Sequence, residues 1–116
     1  MNKIAVELDE LFSMIERFYD KTKHSFLTLN ALSVDEDTIE VQWIFSHYYE
    51  KEHITLFYAL INPNQTIPSI TSLIPSAVIS QREIVDMFGV KVEDTQAGLY
   101  LDEDSVKAPL RVGYGL

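Results

Sequence analysis

The sequence predicts an α+β fold: an N-terminal helix packed on an antiparallel β-meander, then a short capped helix and an extended C-terminal tail. Three observations carry this expectation. Apolar residues recur at helical spacing near the N-terminus. Between residues 24 and 61 they tend to alternate along runs joined by short polar connections. Three prolines at 63, 68 and 75 then break that texture before a compact helical signature, "SQREIVDMFG", at 80–89.

The first helix is read from Ile4, Leu8, Leu11, Phe12, Ile15, Phe18 and Tyr19, which form one stripe. Acids lie largely off that stripe, which suits a helix covering a sheet better than one lying on a membrane. "HSFLTLNALSV" reads as a first strand, and "DEDT" at 35–38 as a turn. "IEVQWIFSHYY" places Ile39, Val41, Trp43 and Phe45 on one face. After the "EKEH" connection, "ITLFYALI" sets Ile54, Leu56, Tyr58 and Leu60 against Thr55 and Phe57. Connections this short require antiparallel pairing, because a parallel pair needs a long crossover. "NPNQTIPSI" is a structured loop with one helical turn at "ITSLI", and "VKV" at 90–92 is a candidate short strand.

In "SQREIVDMFG", Ser80 and Glu83 have the spacing of a capping box, with Ile79 and Ile84 as a hydrophobic staple. Gly89 stands where a left-handed residue ends a helix. Arg82 and Asp86 are four apart and suited to a surface pair. Glu83 and Asp86 are also the one carboxylate pair worth weighing for acid–base chemistry. That chemistry needs two environments inside a pocket, whereas an exposed helix beside Arg82 keeps both acids ionised. The helical reading therefore prevails, and no catalytic residue is assigned.

At 116 residues the chain fits one domain, 1–116, with 1–89 as a globular core and 90–116 as an extended segment that docks on a partner. The tail carries Leu99, Tyr100, Leu101, Leu110, Val112, Tyr114 and Leu116. Each large apolar side chain gains about 1.5–3 kcal/mol on burial, so such a tail gains by packing. The formal net charge of −9 argues against phosphate-backbone binding. There is no cysteine, which removes disulfides, thiolate metal sites and iron–sulfur ligation by this chain. His24, His47 and His53 are scattered in sequence; two of them flank one connection, a poor basis for a metal site. The start has no signal-peptide pattern and no apolar run reaches the ~20 residues of a membrane span, so a cytoplasmic address is expected.

"IPSITSLIPSAVISQREIVDMFGVKVEDTQAGLYLDEDSVKAPLRVGY" resembles the second half of the complex I C-chain (30 kDa) family, shared with energy-converting [NiFe] hydrogenases. Pro68-Ser69-Ile70-Thr71 matches the approach, Arg82, Glu83, Asp86, Met87, Phe88, Gly89 and Val90 the core, and Pro109-Leu110-Arg111 with Tyr114 the tail. Gln81 replaces the first acid of the family motif, Ile79-Ser80 an aromatic pair, and Val112-Gly113 a Lys-Asp pair; the Gly-His usual after the core helix is absent. These departures and the short length point to the hydrogenase-type branch.

The resemblance implies a non-catalytic hydrophilic subunit of a respiratory complex, without cofactor or metal. Its implied partners are a large hydrogenase-like or quinone-site subunit and the neighbouring iron–sulfur subunits, with no nucleic acid and no membrane insertion. It implies a place at the inner face of the cell membrane. Arg82, Asp86, Phe88, Pro109, Leu110, Arg111 and Tyr114 are the expected partner contacts, and Ser80 and Glu83 the helix cap. An isolated subunit is expected to self-associate through its apolar tail. The alternative is a free-standing adaptor that kept the fold and lost the complex.

Overall fold

The computed structural model describes residues 1–50, 53–93 and 95. The elements run β1 (Asn2–Ala5), α1 (Leu8–Phe18), β2 (His24–Ser33), β3 (Ile39–His47), β4 (Ile54–Ile61), β5 (Thr66–Ile67), α2 (Ala77–Phe88) and β6 (Lys91–Val92). The meander is present as expected: β2 pairs with β3 and β3 with β4, both antiparallel. The chain does not open on a helix, however. Residues 2–5 form a strand that pairs in parallel with β4, giving a four-stranded mixed sheet in the order β1-β4-β3-β2. Ile4 therefore belongs to the sheet, opposite Phe57, and helix α1 begins only at Leu8.

This order makes α1 a crossover. It leaves β1 at one edge of the sheet and must reach β2 at the other edge, passing over β4 and β3. The amphipathic stripe serves that path. Leu11 and Ile15 are fully buried, and Leu8, Met14, Phe18 and Tyr19 pack partly buried beside them. Beneath lie Ile39, Val41, Trp43 and Phe45 of β3, each with no exposed surface. Phe45 touches Phe18, Tyr19, Phe26 and Phe57, with ring centroids 5.3–6.0 Å apart. These tilted and edge-on arrangements are the favourable ones for aromatic quadrupoles.

In β4, register with β3 decides the buried set. Thr55, Phe57, Ala59 and Ile61 pair opposite Phe45, Trp43, Val41 and Ile39, and so face the helix. Ile54, Leu56, Tyr58 and Leu60 occupy the other face, where Leu60 is 60% exposed. Both sets are largely apolar, so the period of two alone does not choose between them.

Turns follow local chemistry. The Asp35 carboxylate accepts from the Asp37 N–H, and Val34 N–H reaches Thr38 O at 2.9 Å. After the meander, Ile74 N–H donates to Ile70 O, forming the expected turn. Strand β5 pairs in parallel with β6. Ile67, Ile70, Ile74, Ala77, Ile84, Val90 and Val92 join the same core as Trp43. The core thus extends beyond Gly89 through Val92. The remainder of the expected extended tail, residues 96–116, lies outside the described residues.

Phe45→Ala is expected to cost about 3–5 kcal/mol, as for large aromatic truncations in a packed core. Leu60→Ser, on the outer face, is expected to stay within about 0.5 kcal/mol of the parent. Denaturant unfolding of both variants measures the contrast.

Candidate functional site

The short second helix is the region the sequence singles out, and its entry differs from the capping-box expectation. Helix α2 starts at Ala77, after Ser76, which stands four residues before the expected cap at Ser80. Ser76 is itself in the right-handed helical region, at φ −64° and ψ −16°, and makes no side-chain cap. The first amides are met by the preceding turn instead: Ala77 N–H donates to Ile74 O and Val78 N–H to Pro75 O. A helix entered from such a turn needs no serine cap. Ser80 and Glu83 accordingly lie inside the helix, and neither caps it. The Ser80 hydroxyl lies 3.3 Å from that of Thr28 on β2, and Glu83 is exposed. The other end matches expectation. Gly89 adopts φ 68°, ψ 20°, and its N–H closes the helix on Val85 O.

The buried polar residue that organises this region is Gln81, 1% exposed. Its carbonyl Oε1 accepts from the Ile70 N–H at 3.0 Å. Its Nε2 donates to Ser69 Oγ at 3.0 Å and Thr95 Oγ1 at 3.2 Å. One amide thus ties the segment entering the helix to the segment leaving β6. A neutral amide supplies a donor and an acceptor together without the desolvation cost of a buried carboxylate. In sequence, Gln81 is visible only as a departure from a motif. Nothing in its spacing marks it as buried between two loops.

Among the expected contact residues, Asp86 is 4% exposed, which removes it from the surface pair with Arg82. Arg82 and Phe88 are half-buried, and Phe88 packs against the core. Pro109, Leu110, Arg111 and Tyr114 lie outside the described residues. Glu83 and Asp86 differ in burial, Glu83 being exposed and Asp86 buried. A cleft of about 410 Å³ nearby is lined by Phe12, Pro68, Ser69, Thr71, Ser72 and Glu93, and neither carboxylate reaches it.

A second polar cluster lies at one end of the sheet. His24 and His47, opposite each other on β2 and β3, have ring centroids 4.6 Å apart, and His47 and His53 are 4.7 Å apart. The sequence suggested the closeness of His47 and His53; pairing of the two strands adds His24. Among the described residues, no group of three or more His, Cys, Asp or Glu side chains is placed to hold a metal ion. No helix among them is long and apolar enough to cross a membrane.

A model of the respiratory-chain NADH dehydrogenase 30 kDa subunit family matches residues 4–116. No curated protein matches. A chain in the structure of the membrane-bound sulfane sulfur reductase, an archaeal respiratory membrane complex, shares the fold with a TM-score of 0.75 at 17% identity. The alignment covers 93% of this chain and 66% of that one.

Gln81→Leu is expected to cost about 1–3 kcal/mol, because the Ile70 N–H loses its buried acceptor. Ser80→Ala should cost less than the ~1 kcal/mol typical of a lost N-cap. Urea unfolding of the two variants distinguishes the interior amide from the expected cap.

Proposed function

Because the chain belongs to the family of the 30 kDa subunit of respiratory-chain NADH dehydrogenase, we propose that it is a non-catalytic hydrophilic subunit packing on the large catalytic subunit of its complex. The family makes it a subunit of a respiratory membrane complex, and that membership is the observation carrying the proposal. On this reading its work is assembly and support of electron transfer between neighbouring subunits. Those neighbours are a hydrogenase-like or quinone-site subunit and iron–sulfur subunits. The complex sits at the inner face of the cell membrane.

The candidate site supports a structural role. The residues of α2 that look catalytic by type are divided between a buried acid and an exposed one. Arg82 and Phe88, with Pro109, Leu110, Arg111 and Tyr114 of the tail, are the proposed partner contacts. Asp86, 4% exposed, is buried in this chain and is left out of that set. Val112-Gly113 in place of the family's Lys-Asp favours the energy-converting hydrogenase type over an NADH:quinone oxidoreductase. The membrane-bound sulfane sulfur reductase offers a respiratory complex containing a chain of the same fold.

A free-standing adaptor is the competing reading. The departures from the family motif at Gln81 and at Val112-Gly113 are the features that favour it. Gln81 is satisfied inside this chain, so it gives no support to a lost interface.

A tagged copy purified from native membranes in mild detergent is expected to retain one larger subunit and iron–sulfur subunits. Arg82→Glu should reduce that recovery while leaving the melting temperature within about 2–4 °C, as a surface substitution does. Recovery of the tagged chain alone, from membranes and cytosol alike, would instead establish the adaptor.

A further inference from the structure

Three imidazoles, the whole histidine content of the chain, meet at one end of the sheet although they are dispersed in sequence. His24 lies at the start of β2, His47 at the end of β3, and His53 just before β4. His24 is 9% exposed and is stacked on Phe18 of α1, with centroids 4.3 Å apart and planes 18° from parallel. The row therefore joins the crossover helix, β2, β3 and the connection to β4. It also reaches β1, because His53 Nε2 lies 3.3 Å from the Asn2 amide nitrogen.

The hydrogen bonds fix the charge state that fits. His24 Nδ1 lies 3.1 Å from the Asp20 backbone nitrogen and accepts its proton. A backbone N–H cannot reverse its polarity, so a proton added at His24 Nδ1 meets a donor. His47 Nε2 pairs with the Thr55 hydroxyl at 2.9 Å, and a hydroxyl adapts to either state. The Asn2 amide adapts by rotation. The mismatch on protonation is therefore concentrated at His24, where the α1–β2 turn is held to the sheet.

We propose that the row of His24, His47 and His53 is a pH-responsive latch: neutral imidazoles hold the α1–β2 turn against the sheet, and protonation loosens it. Two further facts agree. Adjacent imidazolium rings 4.6 and 4.7 Å apart repel each other. The charged groups facing the row do not remove that cost. Asp20 is kept ionised by bonds from the Thr22 hydroxyl and N–H, which hold its carboxyl below the usual range. Its attraction for His24 is weaker than burial, with repulsion from His47 and Lys23 adding to the opposition. Glu50 lies 3.6 Å from Nδ1 of His53, the far member of the row. Lys3, the charged residue of β1, pairs with Glu40 instead.

The sign of the pH effect follows. Burial first, then His47, holds the His24 imidazole below its ordinary value near 6.5. The unfolded chain then takes up protons more readily than the folded one. The latch is at full strength above about pH 6.5 and is lost as pH falls from there through the lowered value.

An NMR titration of the intact chain from pH 7.8 to 5.0 tests this, since three imidazoles give three resolvable curves. His24 is expected to titrate below an unperturbed histidine. Exchange of the amides at residues 20–24, corrected for its intrinsic pH dependence, should accelerate several-fold on the same midpoint. The α2 amides should not respond. His47→Gln should move the His24 midpoint upward and shrink the acceleration. Three independent curves at the ordinary value, or unchanged exchange at 20–24 through the His24 titration, would overturn the proposal. The parent titration decides the matter alone if the variant does not fold.

Discussion

The structure depends on burying one face of the sheet, the face of Trp43 and Phe45, beneath a helix that crosses it. With β1 and β2 at opposite edges, α1 has to span β4 and β3, and its apolar stripe must meet theirs. Leu11 and Ile15 supply contacts with no exposed surface, and Phe18 closes the end of the helix against Phe45 and Phe57. Once this face is covered, the positions of the remaining parts follow. β2 is held where α2 can pack along it, and Ala77 and Ile84 extend the same core.

The second half of the chain is organised differently, through polar bonding around a buried amide. β5 and β6 are two residues each, too short to fix a loop by ladder bonds alone. Gln81 supplies the missing constraint by bonding Ser69, Ile70 and Thr95. Here lies the physical sense of the Pro68-Ser69-Ile70-Thr71 approach in this chain. Its serine and the following amide are ligands of the helix interior. The carboxylates that draw the eye, Glu83 and Asp86, are separated by burial, one exposed on α2 and the other 4% exposed within it.

The legibility of this protein varied with the kind of signal. Helix α1, the meander, the turn after Ile70, the strand near Lys91 and the glycine end of α2 were all readable, because each follows from local periodicity or from backbone freedom at one residue. Strand β1 was not. Its four residues precede a strong helical stripe, and Ile4 fits that stripe by spacing while belonging to the sheet by pairing. The capping box misled for a related reason. Ser80 and Glu83 have the right spacing, but the turn before Ser76 already satisfies the amides that a cap would serve.

The sequence by itself determined the α+β class, the buried face of β3, the exclusion of thiolate chemistry and the family. All of these rest on residue types and on order along the chain. Tertiary structure alone decided the parallel edge strand, the inward face of β4, the role of Gln81 and the meeting of His24 with His47 and His53. Each of these depends on which distant backbone lies alongside, and a strand shifted by one residue would reverse its faces. Hydrogen bonds between segments eleven or more residues apart leave no periodic trace, and so the sites of this chain appear only once it is folded.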